Sequence, residues 1–196
     1  MIEKQFKKVV LILLLLGAPV FASGIIHEDD TYSLVAFEGG FSSLDSEKNT
    51  LGSAAVITKY TLPEVGFKLG AETENYRIFL NLHYYSNRDF DYMTTYGIDL
   101  QYKFNFASFA NFYVGAGVGQ SNMRFLPAGE STSRTLSNPY VSGDLGVNLH
   151  VMDTIDLELG GRVMSLGATN TIANTTYKFD TLVTAYGSII FKFKMD

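Results

Sequence analysis

YRIFLNLHY (residues 76–84) and YGIDLQYKF (residues 96–104) place an apolar or aromatic side chain at every second position. Tyr76, Ile78, Leu80, Leu82 and Tyr84 alternate with Arg77, Phe79, Asn81 and His83, and Tyr96, Ile98, Leu100, Tyr102 and Phe104 alternate with Gly97, Asp99, Gln101 and Lys103. Successive side chains of a strand point to opposite faces, so a period of two marks a strand with one apolar face. Working outward, the same reading gives Val35, Phe37, Gly39, Phe41; Val65, Phe67, Leu69, Ala71; and Phe112, Val114, Ala116, Val118. It continues through Val141, Gly143, Leu145, Val147, Leu149; Ile155, Leu157, Leu159, Gly161, Val163; and Ala185, Gly187, Ile189, Phe191, Phe193.

None of these positions is charged, although 18% of the chain is. The opposite faces carry Glu38, Lys68, Glu72, Arg77, Asn81, His83, Asp99, Lys103, Asp144, His150, Asp156, Glu158, Arg162, Lys192 and Lys194. An uncharged outer face with a polar inner one is the pattern of a transmembrane barrel. A soluble barrel of the lipocalin type inverts it, with an apolar interior and a polar outside.

The fold class predicted is all-β: an eight-stranded antiparallel up-and-down transmembrane β-barrel. Short links are expected at Thr73–Asn75, Asn105–Ser108 and around Met152-Asp153, and long ones at Ser42–Glu64, Ser86–Asp91, Gln120–Asn138 and Leu166–Lys178. With both termini on one side, the short links share the periplasmic side and the long ones the outside. Leu51–Leu62 is β-prone; it either extends the second strand past Pro63 or forms a separate strand. A ten-stranded barrel would need a further partner near Asn170–Tyr177, and eight is the preferred count.

Length and composition agree with one barrel and an export signal. The chain has 196 residues, with Tyr 12, Phe 15, Gly 18 and Pro 4, a mixture that favours strands and turns. Cys is 0, which excludes disulfides, thiolate metal sites and a lipid-modified cysteine. Lys4, Lys7 and Lys8 precede the apolar run Val9–Leu16, and Gly17-Ala18-Pro19 leads into Val20-Phe21-Ala22. This is the three-part pattern of a signal peptide, so residues 1–22 are read as a leader cut after Ala22 and residues 23–196 as the barrel. The net charge of -5 grows more negative once the leader leaves, and a nucleic-acid partner is not expected.

An eight-stranded barrel is only wide enough for its own side chains. Gly66, Gly70, Gly97, Gly115, Gly117, Gly119, Gly146 and Gly160 fall on the inner face, leaving room for long neighbours to cross the lumen. Buried charges need partners. The expected interior network comprises Glu38, Lys68, Glu72, Arg77, Asp99, Lys103, Asp144, Asp156, Glu158 and Arg162, with Arg77 and Arg162 pairing to some of the carboxylates. Tyr76, Tyr84, Tyr96, Tyr102, Phe104, Phe112, Phe191 and Phe193 sit near strand ends, where interfacial aromatic girdles belong.

The pattern resembles the small OmpA/OmpX-like outer-membrane barrel family: a leader, eight amphipathic strands, abundant Gly and aromatics, and a last strand of alternating aromatics. The resemblance covers the whole mature chain and rests on architecture. It implies that the barrel-assembly machinery reads Ile189, Phe191 and Phe193, although Lys194, Met195 and Asp196 follow where the family usually ends on the aromatic. The peptidoglycan-binding domain of longer members is not found after the last strand.

Sites of chemistry are few. Gly115, Gly117 and Gly119 lack the spacing and the helix of a phosphate loop, and read as small lumen residues. His27-Glu28-Asp29-Asp30 reads as a solvated tail, not a cation site. His83, Ser86 and Asp89 lie where an acyl-transfer triad of a lipid-modifying enzyme would be needed, but without a surrounding motif. No catalytic, cofactor or metal residue is therefore assigned.

The expected function is a non-catalytic, porin-like cell-envelope barrel, structural or surface-binding through its outer loops. Its expected partners are outer-membrane lipids, lipopolysaccharide and an external ligand at loops 42–64 and 120–138, the latter carrying Arg124 and Arg134. A narrow pore for small solutes is the second reading and a lipid-modifying enzyme the third.

Overall fold

The computed structural model describes residues 31–87, 90–126, 132–172 and 174–194. The leader, the His27–Asp30 stretch and the chain end Met195-Asp196 lie outside these residues. Eight strands follow one another: β1 (Tyr32–Thr50), β2 (Val56–Glu72), β3 (Tyr76–Asn87), β4 (Phe90–Ala107), β5 (Ala110–Phe125), β6 (Arg134–Met152), β7 (Ile155–Ile172) and β8 (Thr175–Lys194). Each pairs antiparallel with its chain neighbours, and β8 returns to β1 to close the barrel. Closure pairs the backbone groups of both sheet edges, the requirement for a sheet surrounded by lipid.

The alternation read from the sequence is the alternation of the wall. Phe41, Val65, Leu80, Leu145 and Leu159 face outward at 57–67% relative exposure, while Arg77, Arg162 and Lys68 are buried inside. At the end that holds both chain termini, Tyr76 packs edge-on against Tyr102 (5.1 Å between centroids), Tyr102 against Phe104 (4.7 Å), and Phe104 lies 6.2 Å from Phe112. These rings form part of an interfacial girdle.

The strands are longer than the 9 to 11 residues that a bilayer requires. At roughly 3.3 Å per residue and a tilt of ~40°, strands of 18 to 20 residues rise about 45–50 Å, well beyond the hydrocarbon layer. This corrects the expected loops. Ser42–Glu64 is mostly strand: Ser42 pairs with Leu62 and Lys48 with Val56, leaving a link of 51–55. In Gln120–Asn138, Gln120 pairs with Pro139 and Phe125 with Arg134, leaving 126–133. Leu166–Lys178 becomes a hairpin with Ile172 opposite Thr175. Backbone pairing continues beyond the apolar runs read from the sequence, as where Ser43 pairs with Thr61 and Asp45 with Lys59.

Leu51–Leu62 neither forms a ninth strand nor stays a loop; it supplies the turn and the first half of β2. Pro63 is tolerated because the β2–β3 ladder begins only at Glu64, so Pro63 sits where β2 has β1 as its partner, opposite Phe41.

The interior is layered. Near the termini, Leu34, Ala36, Phe79 and Ile190 form a small apolar cluster. At the distal end a larger cluster, including Leu44, Leu62, Met93, Met123, Leu136, Tyr177 and Leu182, fills the extended wall. The charged layer runs from Glu72 and Arg77, beside the small cluster and toward the termini, up to Glu38, Glu64 and Arg162 below the larger one.

Candidate functional site

Five strands bring the cations of this layer to its carboxylates. Arg162 on β7 grips Glu38 on β1 at two points, Nη1 donating to Oε1 (2.9 Å) and Nη2 to Oε2 (3.2 Å). The same Nη1 donates to Glu64 Oε1 at 3.3 Å, and the guanidinium lies 4.6 Å from the ring centroid of Tyr186. Lys68 on β2 pairs with Glu38 and, at 3.2 Å, with Glu158. Arg77 on β3 reaches Glu72 (2.9 Å), Glu158 (3.1 Å) and Asp156 (3.6 Å). Lys103 adds a second cation to Glu72 at 3.0 Å, and Lys192 pairs with Asp156 at 2.9 Å.

Bidentate guanidinium pairs of this kind are the strong, directional ones, and in a water-poor lumen each group depends on its partner. Arg77 thus takes Glu72, Asp156 and Glu158, and Arg162 takes Glu38 and Glu64. Asp99 and Asp144 stand outside the ion pairs. Asp99 accepts from Asn81 Nδ2 at 2.7 Å, and Asp144 from Gln101 Nε2 at 2.6 Å.

Inward glycines make this density feasible. A Cβ built on Gly66 would collide with His83, one on Gly160 with Tyr113 and Tyr186, and those on Gly115 and Gly117 with Asp144 and Asp99. Sequence reasoning missed several residues of the layer. Glu64 was assigned to a long link, although extending the β2 alternation one step below Val65 places it inward. Tyr113 and Tyr186, joined hydroxyl to hydroxyl at 2.8 Å, and Tyr140, which donates to Asn81 Oδ1 at 3.3 Å, are inward aromatics that a search for charge passes over.

Two arrangements bear on chemistry. Glu38, Glu64 and His83 offer ligand atoms within 4.8 Å of one another. Arg162 Nη1 lies among them, 2.9 Å from Glu38, 3.3 Å from Glu64 and 3.3 Å from His83 Nε2, so a guanidinium holds the position a cation would take. The triad candidates do not meet. His83 points inward, with Nδ1 at 3.4 Å from Thr95 Oγ1 and Nε2 engaged by Arg162, while Ser86 Oγ donates to the Asp91 carbonyl at 3.3 Å. Asp89 lies outside the described residues. Near the termini, His150 Nδ1 is 2.8 Å from Asp156 and its Nε2 3.1 Å from Asn111.

On the last strand, Ile189, Phe191 and Phe193 stand opposite Phe37, Val35 and Ser33 of β1, with Ile189 and Phe193 exposed on the outer face.

No family model matches the chain, and no curated protein matches it. Solved structures do. Neisserial surface protein A shares 17% identity at a TM-score of 0.57, covering 81% of this chain and 99% of that one. The outer membrane protein OprG of Pseudomonas aeruginosa shares 14% at 0.55, over 84% and 98%. The N-terminal β-barrel domain of Pseudomonas aeruginosa OprF shares 12% at 0.53, over 82% and 97%. Identities this low speak for architecture alone, and on architecture the geometry and the comparisons agree: the chain has the fold of the small eight-stranded outer-membrane β-barrels, the fold that its resemblance to OmpA/OmpX-like proteins implied.

Proposed function

We propose that the chain is a non-catalytic resident of the bacterial outer membrane, a closed scaffold that carries an ordered β-rim outside the bilayer as its contact surface. In this reading, residues 1–22 direct export and are removed after Ala22, and Ile189, Phe191 and Phe193 present the closing strand to the barrel-assembly machinery. The observation that carries the proposal is the filled lumen: Lys68, Arg77 and Arg162 are at most 1% exposed and bound to carboxylates on β1, β2 and β7. A side-chain-packed interior supports a structural role over a pore. The separation of His83 from Ser86 supports the same ranking over lipid modification.

The contact surface in this reading is the distal rim, the ends of β1–β2 and β5–β6 with link 51–55. It combines apolar Leu51, Val56 and Ile57, all more than half exposed, with Arg124, which pairs with Asp91 at 3.5 Å. Rims of mixed character on a rigid wall suit binding. The lipid partners are bilayer lipids around the belt and lipopolysaccharide at the rim. Planar-bilayer recording of the refolded chain tests the scaffold reading: a silent membrane is expected, and reproducible single-channel steps would replace it with the pore.

A further inference from the structure

Among the described residues, the interior cations are Lys68, Arg77, Lys103, Arg162 and Lys192, and each has a carboxylate within 4 Å. They serve Glu38, Glu64, Glu72, Asp156 and Glu158. Asp99 and Asp144, 2% and 4% exposed, have no cation within 4 Å, so among the described residues the interior holds two more carboxylates than cations, and these two both flank β5.

That place has a definite construction. The inner face of β5 is bare at Gly115 and Gly117. Gln101 and Asp144 flank Gly115 from the two neighbouring strands, and Asp99 and Ser142 flank Gly117. Asp144 Oδ1 leans over Gly115; Asp99 Oδ1 leans over Gly117 beside Ser142 Oγ, which lies 2.6 Å from where a Cβ would stand. Each carboxylate spends its Oδ2 on one amide, Asn81 or Gln101. Asp144 Oδ1 and Gln101 Oε1 are fully buried acceptors with no donor. An ionised, unpaired acceptor in a dry site is strongly disfavoured, and neighbouring acceptors want a positive charge rather than a further acceptor.

We propose that Asp99 and Asp144 hold a hard, oxygen-preferring divalent cation of the Ca2+ class above the Gly115–Gly117 strip, with Gln101 Oε1 and Ser142 Oγ in the same oxygen set. The donors are all oxygens, which disfavours soft metals. Two carboxylates match a double charge, and Ca2+ accepts the irregular shell that side chains on two strands, β4 and β6, provide, where Mg2+ demands a near-ideal octahedron. With glycine at 115 and 117, no β5 side chain stands between the Asp99 and Asp144 carboxylates, and their oxygens lean over the bare backbone. This site is separate from Glu38, Glu64 and His83, where Arg162 already supplies the charge.

The test is to refold the full chain from urea into detergent micelles in EDTA, then measure the thermal midpoint of the heat-modified gel shift after adding CaCl2, MgCl2 or NaCl at matched ionic strength. Ca2+ is expected to raise the wild-type midpoint by at least ~5 °C, with a smaller effect of Mg2+ and none of NaCl. Asp144→Asn and Asp99→Asn, which each relieve the excess charge, are expected to fold, to exceed the wild type in EDTA and to lose the Ca2+ response. A wild type indifferent to Ca2+ overturns the proposal. So does an equal rise in both variants, which would put the ion elsewhere. A midpoint raised as far by acidification in EDTA, with nothing added by Ca2+, overturns it as well, because protons would then meet the charge.

Discussion

Arg162 touches more of the interior than any one carboxylate does: it bridges Glu38 and Glu64, contacts His83 and covers the face of Tyr186. Arg162→Ala leaves two glutamates sharing a dry pocket without their guanidinium, and removing one member of a buried pair destabilises by about 3–5 kcal/mol. Urea unfolding in detergent is expected to show a correspondingly lower midpoint, and an unchanged one would mean that the network does not brace the barrel. Gly160→Val is expected to prevent folding or to weaken it by roughly 1–3 kcal/mol, because even its first carbon would meet Tyr113 and Tyr186; a yield and melting curve equal to the wild type would contradict that packing. The inward position of Arg77 and Arg162 was legible in the sequence, because each alternates with residues that only lipid suits. Their partners were not legible, since these are set by how eight strands stagger around the barrel, and Glu64 was hidden as the apparent last residue of a loop.

All strands but the 12-residue β3 are two things in series, a membrane segment with an apolar outer face and a distal segment with a mixed one. The lipid-facing half was read from residues such as Leu80, Ile98 and Leu145. The distal half resembles loop in the sequence because its apolar residues, Leu44, Leu62, Met123 and Leu136, turn inward while its outside is polar or mixed. Bulges hide it further. On β8 the inward positions pass from Tyr177 and Phe179 to Leu182 and Thr184, and opposite them Gly167 of β7 takes φ 55, so strict alternation breaks there. The division makes a paired prediction. Leu80→Arg, in the belt, is expected to lose about 2–4 kcal/mol of stability in lipid vesicles, while Ile57→Arg, on the distal rim, is expected to change it little. Equal losses at both positions would mean that the rim is also immersed.

The molecule as a whole is a tube stoppered by its own side chains: a cross-linked charged network that encloses a small apolar cluster near the termini, and a larger apolar cluster inside the distal wall. With the lumen occupied and the wall closed, backbone pairing has no free seam within the belt, and unfolding must break many ladders together. The central claim is therefore a closed, lipid-embedded barrel, and it is tested most directly by fractionating cells that express the chain and running the outer-membrane fraction on a denaturing gel with and without boiling. A closed barrel resists detergent until heated, so the unboiled sample is expected in that fraction with a mobility different from the boiled one. A protein recovered in the soluble periplasmic fraction, with the same mobility before and after boiling, would contradict it.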